Sequence, residues 1–158
     1  MLEKSSMGPH VVNQFALSTS AILLLLRQAA ERAESLGIAV NIAVCDANAE
    51  TCGFLRMQGA HVGAAGIATD KAWTSVGFGG ASTRDIMAWL DGLSSHVARA
   101  AIIARPRYTP LPGGMPIWIA GSLVGAIGVA GGTPEQDEIC STAGFALIGA
   151  TPTQRAAL

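Results

Sequence analysis

Apolar residues Ile22, Leu25, Leu26, Ala29, Ala33 and Leu36 recur three or four positions apart, the spacing that lines one face of an α-helix. Ser18 precedes them as an N-cap, Leu17 and Ile22 stand where a hydrophobic staple would, and Gly37 follows. These signals predict a first helix reaching about Leu36. From Ile38 to Cys45 the pattern becomes a continuous β-rich run, Asp46-Ala47-Asn48-Ala49-Glu50 supplies turn residues, and Cys52–Met57 returns as a second strand. The pair reads as a hairpin with a loop of several residues. Between His61 and Phe78, small residues Ala64, Ala68, Ala72 and Ser75 fall about one turn apart. They form a smooth helical stripe suited to close packing on a sheet.

Further along, Ser82 to Asp85 matches a capping box that opens a short helix with Ile86 and Leu90 on one side. Residues 94–112 hold two basic prolyl turns, Arg105-Pro106-Arg107 and Thr109-Pro110-Leu111-Pro112, and predict a loop with room for one edge strand. Met115–Ile119 and Leu123–Ala130 flank Ala120-Gly121-Ser122, a short turn, and predict a second hairpin. Thr133 then caps a last helix with Pro134 at its first position, Gln136 at its third, and Glu135 and Asp137 in the turn where the helix dipole favours acids. Hairpins joined by helices argue for an α+β layer fold, an antiparallel sheet with helices against it.

A chain of 158 residues suits one domain. The pattern divides it into an irregular arm at 1–16, able to clasp a partner subunit, a domain at 17–150 and a tail at 151–158. Half the residues are hydrophobic, only 13% are charged, and the mean hydropathy is +0.41. Little surface remains to carry charge, so a homo-oligomer, dimer or higher, is expected. The net charge of −1 offers no basic footprint for nucleic acid. The strongest apolar run, Ile22–Leu26, is stopped by Arg27, far short of the roughly 20 residues that span a bilayer. MLEKSSMGPHVVNQF has no basic segment followed by an apolar one, so a cytoplasmic protein is expected. The cysteines, Cys45, Cys52 and Cys140, are odd in number and form no CxxC pair, which suggests neither a disulfide framework nor structural zinc.

Four ordered blocks carry a family resemblance: Asp46 through Arg56-Met57; Ile67-Ala68-Thr69-Asp70-Lys71-Ala72-Trp73-Thr74; Gly113-Gly114-Met115-Pro116-Ile117; and Gly121 with Val124-Gly125-Ala126-Ile127-Gly128-Val129-Ala130-Gly131-Gly132, followed by Glu135-Gln136-Asp137 and Ala143-Gly144. Over roughly Leu17 to Gly149 the chain resembles the GlcG/HbpS haem-binding family, also found as the C-terminal domain of PduO-type proteins. The resemblance implies a five-stranded antiparallel sheet with flanking helices, profilin-like or PAS-like in its layers, assembled into homo-oligomers. It implies haem as a cofactor or ligand, since some members resemble haem-binding or haem-degrading proteins. Others sit beside catabolic enzymes. The chain departs from the usual pattern at Ala49-Glu50-Thr51-Cys52, commonly glycine followed by leucines, and at Gln58, commonly acidic.

Lys71 has Ile67, Ala68, Thr74 and Ser75 as helical neighbours. In that small, mostly apolar setting it reads as an acid, base, anion clamp or Schiff-base amine, or as half of a structural ion pair. Asp70 points about 100° away on the helix, so a carboxylate for Lys71 has to come from Asp46 or Asp137. Arg56 and Arg107 are candidate cations for a ligand carboxylate, and Gly113-Gly114 sets up a tight turn where a pocket is expected.

His10, His61 and His96 show no metal-binding spacing, so no metal site is nominated. For haem iron, His61 or His96 would serve as axial ligand, with Cys45, Cys52 or Met57 as softer options. Two functions follow. One is a protein binding haem or another small anionic planar molecule, held by Arg56, Lys71 or Arg107 near Gly113, Gly114 and His61. The other is a catabolic enzyme acting by acid–base chemistry on an unsaturated carboxylate or aromatic ring-cleavage product, with Lys71 or Asp137 moving the proton and Arg56 holding the carboxylate. A scaffold oligomer without chemistry is a third.

Overall fold

The computed structural model describes residues 10–154. Residues 1–9 of the expected arm and 155–158 of the expected tail lie outside them. Helix α1 spans Thr19–Ser35 with the Ser18 hydroxyl accepting from the Ala21 N–H at 3.2 Å. Strands β1 (Asn41–Asp46) and β2 (Thr51–Arg56) form the first hairpin. Helix α2 is Ala64–Gly77, α3 Thr83–Asp91, and α4 His96–Ile103. Strands β3 (Gly114–Ile119) and β4 (Ser122–Ala130) form the second hairpin, and α5 spans Pro134–Ser141 before a 3-10 turn at Phe145–Ile148.

All strand pairs are antiparallel, in the order β2-β1-β4-β3. Alternation along β1 and β4 gives the sheet two unlike faces. Ile42, Val44, Val124, Ile127 and Val129 pack with Leu25, Leu26 and Ala29 of α1 and Cys140 of α5 in the main core. Ala43, Cys45, Ala126 and Ala130 face the other way, against Ala68, Ala72 and Val76 of α2. The small-residue stripe predicted for α2 therefore meets a small-residue sheet face. At Gly128 an added Cβ would run into the Ala68 carbonyl oxygen and stand 2.7 Å from the Ala72 nitrogen, so helix and strand touch backbone to backbone.

Three sequence expectations change. The described residues contain four strands, not five. Beyond β3 the chain makes a single antiparallel bridge, Trp118 to Thr151, and the next residue, Pro152, has no N–H to extend a ladder. Within 94–112 the chain forms α4 instead of an edge strand, started by the Ser95 hydroxyl accepting from Ala98 N–H at 3.2 Å. No residue of α4 is buried, which is why no apolar period announced it. At α3 the Ser82 hydroxyl accepts from the Asp85 N–H but donates to the Asp85 carboxylate, so the capping box is only half made. At α5 both halves are present and Pro134 opens the helix as predicted.

Candidate functional site

Lys71 and Asp137, taken from distant parts of the chain, meet. Lys71 Nζ donates to Asp137 Oδ2 at 2.7 Å and to the Val129 carbonyl at 2.7 Å, while Asp137 Oδ1 accepts from the Gly132 N–H at 2.9 Å. Both side chains are nearly sealed, 4% and 5% exposed. The first turn of α5 aims Asp137 at α2, and Asp46 is engaged elsewhere, accepting from the Asn48 and Glu50 N–H groups in its own turn.

The pocket expected at Gly113-Gly114 is filled by the protein's own atoms. A Cβ on Gly113 would stand 2.7 Å from Asp137 Cβ and 2.9 Å from Lys71 Nζ; one on Gly114 would stand 2.5 Å from Thr83 Cγ2 and 2.6 Å from the Lys71 carbonyl. The Thr83 hydroxyl also accepts from the Gly114 N–H at 2.9 Å. These glycines make room for an ion pair and a threonine, and the pair is closed to a substrate in this conformation.

Arg107 lies on the loop before β3 at φ 66°, a left-handed conformation uncommon for a residue other than glycine. Thr74 holds it there, its hydroxyl donating to the Arg107 carbonyl at 3.2 Å and accepting from Thr109 N–H at 2.9 Å. The guanidinium donates from Nε to Asp70 at 3.1 Å and stands 5.3 Å from the Trp73 ring centre. Asp70, a poor partner for Lys71 by helical period, is thus the partner of Arg107.

Arg56 makes no ion pair among the described residues and is exposed at the end of edge strand β2. Cross-strand partners share a face. Arg56 is opposite Asn41 and Phe54 opposite Ala43, which packs against α2, so Arg56 and Phe54 lie on the α2 side of the sheet. Helix α2 covers β4, β1 and β3, which leaves that side of β2 as an open shelf with Phe54 44% exposed. At the Arg56 end, Asn41 Nδ2 donates to the His61 carbonyl at 3.0 Å and fixes the β2–α2 connection. The His61 side chain is exposed, Val62 beside it is 70% exposed, and no atom stands within 4 Å of a Cβ added at Gly63 or Gly66. Asn41 Oδ1 is buried without a partner among the described residues.

The remaining haem-ligand candidates are scattered. His96 is exposed on α4, away from the sheet hairpins. Burial pushes the Cys45 thiol up to about 12 and the Cys140 thiol up to about 11, so neither offers a thiolate at neutral pH. Cys52 is exposed at the β1–β2 bulge, and burial with Asp46 nearby also raises its thiol. Among the described residues no three His, Cys, Asp or Glu side chains gather into a metal-binding group. No helix there is long and apolar enough to cross a membrane.

Sequence reading missed Phe54, Asn41 and Trp73 as site residues. The alternation of β2 was visible, but which face α2 leaves open is a tertiary fact. Asn41, a polar residue inside the Ile38–Cys45 run, was the signal that could have marked the corner.

Comparison with known proteins agrees with this architecture. The chain is 34% identical over 134 residues to the corrinoid adenosyltransferase PduO of Salmonella typhimurium, and this match takes in 81% of the chain but 38% of that protein. It thus spans well under half the length of this curated relative. It is 30% identical, over 80% of its length and 88% of the relative's, to an uncharacterized 15.0 kDa protein from the dhaT-dhaS intergenic region of Citrobacter freundii. The crystal structure of a PduOC:heme complex superposes with a TM-score of 0.79 at 27% identity, covering 87% of this chain and 99% of that one. A double mutant of Streptomyces reticuli HbpS superposes with a TM-score of 0.78 at 32% identity, covering 92% and 95%. Residues 17–146 match the family described as haem degrading protein HbpS-like, and the chain belongs to that family.

Proposed function

We propose that this protein binds haem, or a planar anionic molecule of that kind, on the β2 shelf. The observation that carries the reading is Arg56 and Phe54 side by side on the uncovered face of β2, with His61 at the same corner. The residues present fit the group. Phe54 and Val62 offer apolar surface to a flat ring, Arg56 a cation with no ion-pair partner among the described residues for a propionate, and His61 an exposed imidazole for iron. Bound there, haem would supply an iron centre for redox chemistry of the kind the family description implies.

Arg107 is less suited to the ligand than the sequence suggested, because Asp70 and Trp73 already engage it. Lys71 and Asp137 are read as structural, since their hydrogen bonds are made internally and Gly113 closes over them. That removes the proton-moving pair from the catabolic-enzyme reading, which no other observation favours.

Self-association also belongs to the proposal. Val97 is 80% exposed and Ile103 53% exposed on α4, and Leu23 is 61% exposed on α1, apolar side chains that a second copy of the chain would cover. Three free cysteines suit a reducing compartment such as the cytoplasm. Titration of the purified protein with haemin tests the binding claim: a saturable Soret shift is expected, and its absence removes the haem reading.

A further inference from the structure

A separate cavity of about 520 Å3 lies away from the shelf, lined by Phe78, Ala81, Asp85, Ile86 and Trp89. Its volume is in the range of small-molecule sites. Phe78 at the end of α2 and Trp89 on α3 form aromatic walls with ring centres 6.4 Å apart at 50°, and Ile86 is buried beneath. Trp89 is 49% exposed, so its ring has an uncovered face. The cavity's one charged side chain is Asp85, which accepts from the Ser82 hydroxyl at 2.7 Å and has no cationic partner among the described residues. Its neighbour Arg84 is taken by Glu138, with bonds of 2.8 to 3.0 Å. Behind Phe78, at 4.9 Å between ring centres, Tyr108 is 8% exposed and its hydroxyl is buried with no partner among the described residues.

Aromatic faces beside an unpaired carboxylate attract cations and repel anions. A haem dianion is the wrong ligand here, so the site is independent of the shelf. We propose that this cavity binds a small aromatic cation of the arylalkylamine class, with its ring against Phe78 and Trp89 and its ammonium at Asp85.

Calorimetric titration with tryptamine and with indole-3-acetate, which share a ring and differ in charge, tests this directly. Tryptamine is expected to bind saturably and at least about tenfold more tightly than indole-3-acetate, the ratio a cation–π contact plus one charge pair supports. Asp85→Asn narrows the preference for tryptamine, leaving only the part due to the aromatic walls. Ala81→Phe, which plugs the cavity, and Trp89→Ala, which removes a wall, each abolish tryptamine binding while the haemin titration stays unchanged. Absence of saturable tryptamine binding, or equal affinity for the two probes in the unmodified protein, overturns the proposal. It is also overturned if Trp89→Asp shifts the sedimentation profile to a smaller species, because the face would then belong to an interface between copies.

Discussion

Lys71 Nζ stands 2.7 Å from Asp137 Oδ2, joining the middle of α2 to the first turn of α5 across the end of β4. Removing one partner strands the other charge in an interior site, which costs about 3–5 kcal/mol, whereas replacing both by apolar residues costs far less. Urea unfolding of Lys71→Met, Asp137→Leu and the double variant is therefore expected to give two strongly destabilised single variants and a double variant closer to the parent. Additive losses would show that the two groups act separately.

The contact between α2 and the sheet makes opposite predictions for two glycines. Gly128→Ala drives a methyl into the Ala68 carbonyl and is expected to destabilise by about 1–3 kcal/mol or more. Gly66→Ala, inside α2 with no atom within 4 Å of the new Cβ, is expected to stabilise by about 0.5–1 kcal/mol. Thermal unfolding of the two variants should move the midpoint in opposite directions.

The cysteines give a pH signature. Cys45 is held protonated by burial up to about 12, against an ordinary value of 9.0. Between those values the unfolded chain has lost that proton and the folded chain keeps it, so stability falls as pH rises, by about 1.4 kcal/mol per pH unit. Below pH 9 this contribution is fully present. Cys45→Ala is expected to flatten the alkaline fall measured by urea unfolding at stepped pH. At pH 8 a thiol reagent should label Cys52 in the folded protein, slowed by its raised thiol, and Cys45 and Cys140 only after unfolding.

Much of the layer structure could be read from local pattern. The Thr133-Pro134-Gln136 box and the small stripe of α2 appear in the structure because capping and close packing are written in neighbouring residues. The turn of the second hairpin is tighter than read, since Ile119 pairs with Ser122 and both Ala120 and Gly121 take positive φ, as a two-residue type I′ turn requires. Helix α4 escaped notice because its Val97 and Ile103 face outward and bury nothing. The Lys71 partner was narrowed to Asp46 or Asp137 from sequence, but choosing between them needed the packing of α5 on β4. The shelf was illegible for a similar reason: an open strand face is defined by where a helix does not lie.

The central claim is that Arg56 and His61 on the β2 shelf hold haem. Its most direct test is a Soret-monitored haemin titration of the parent, Arg56→Ala and His61→Ala proteins, with Arg27→Ala, an exposed position on α1 across the sheet, as the control. Saturable binding is expected in the parent, weakened about tenfold or more by loss of the Arg56 charge pair. The Soret position is expected to change when His61 is lost, with no change for the control. Binding and spectra identical across all four proteins would contradict the account.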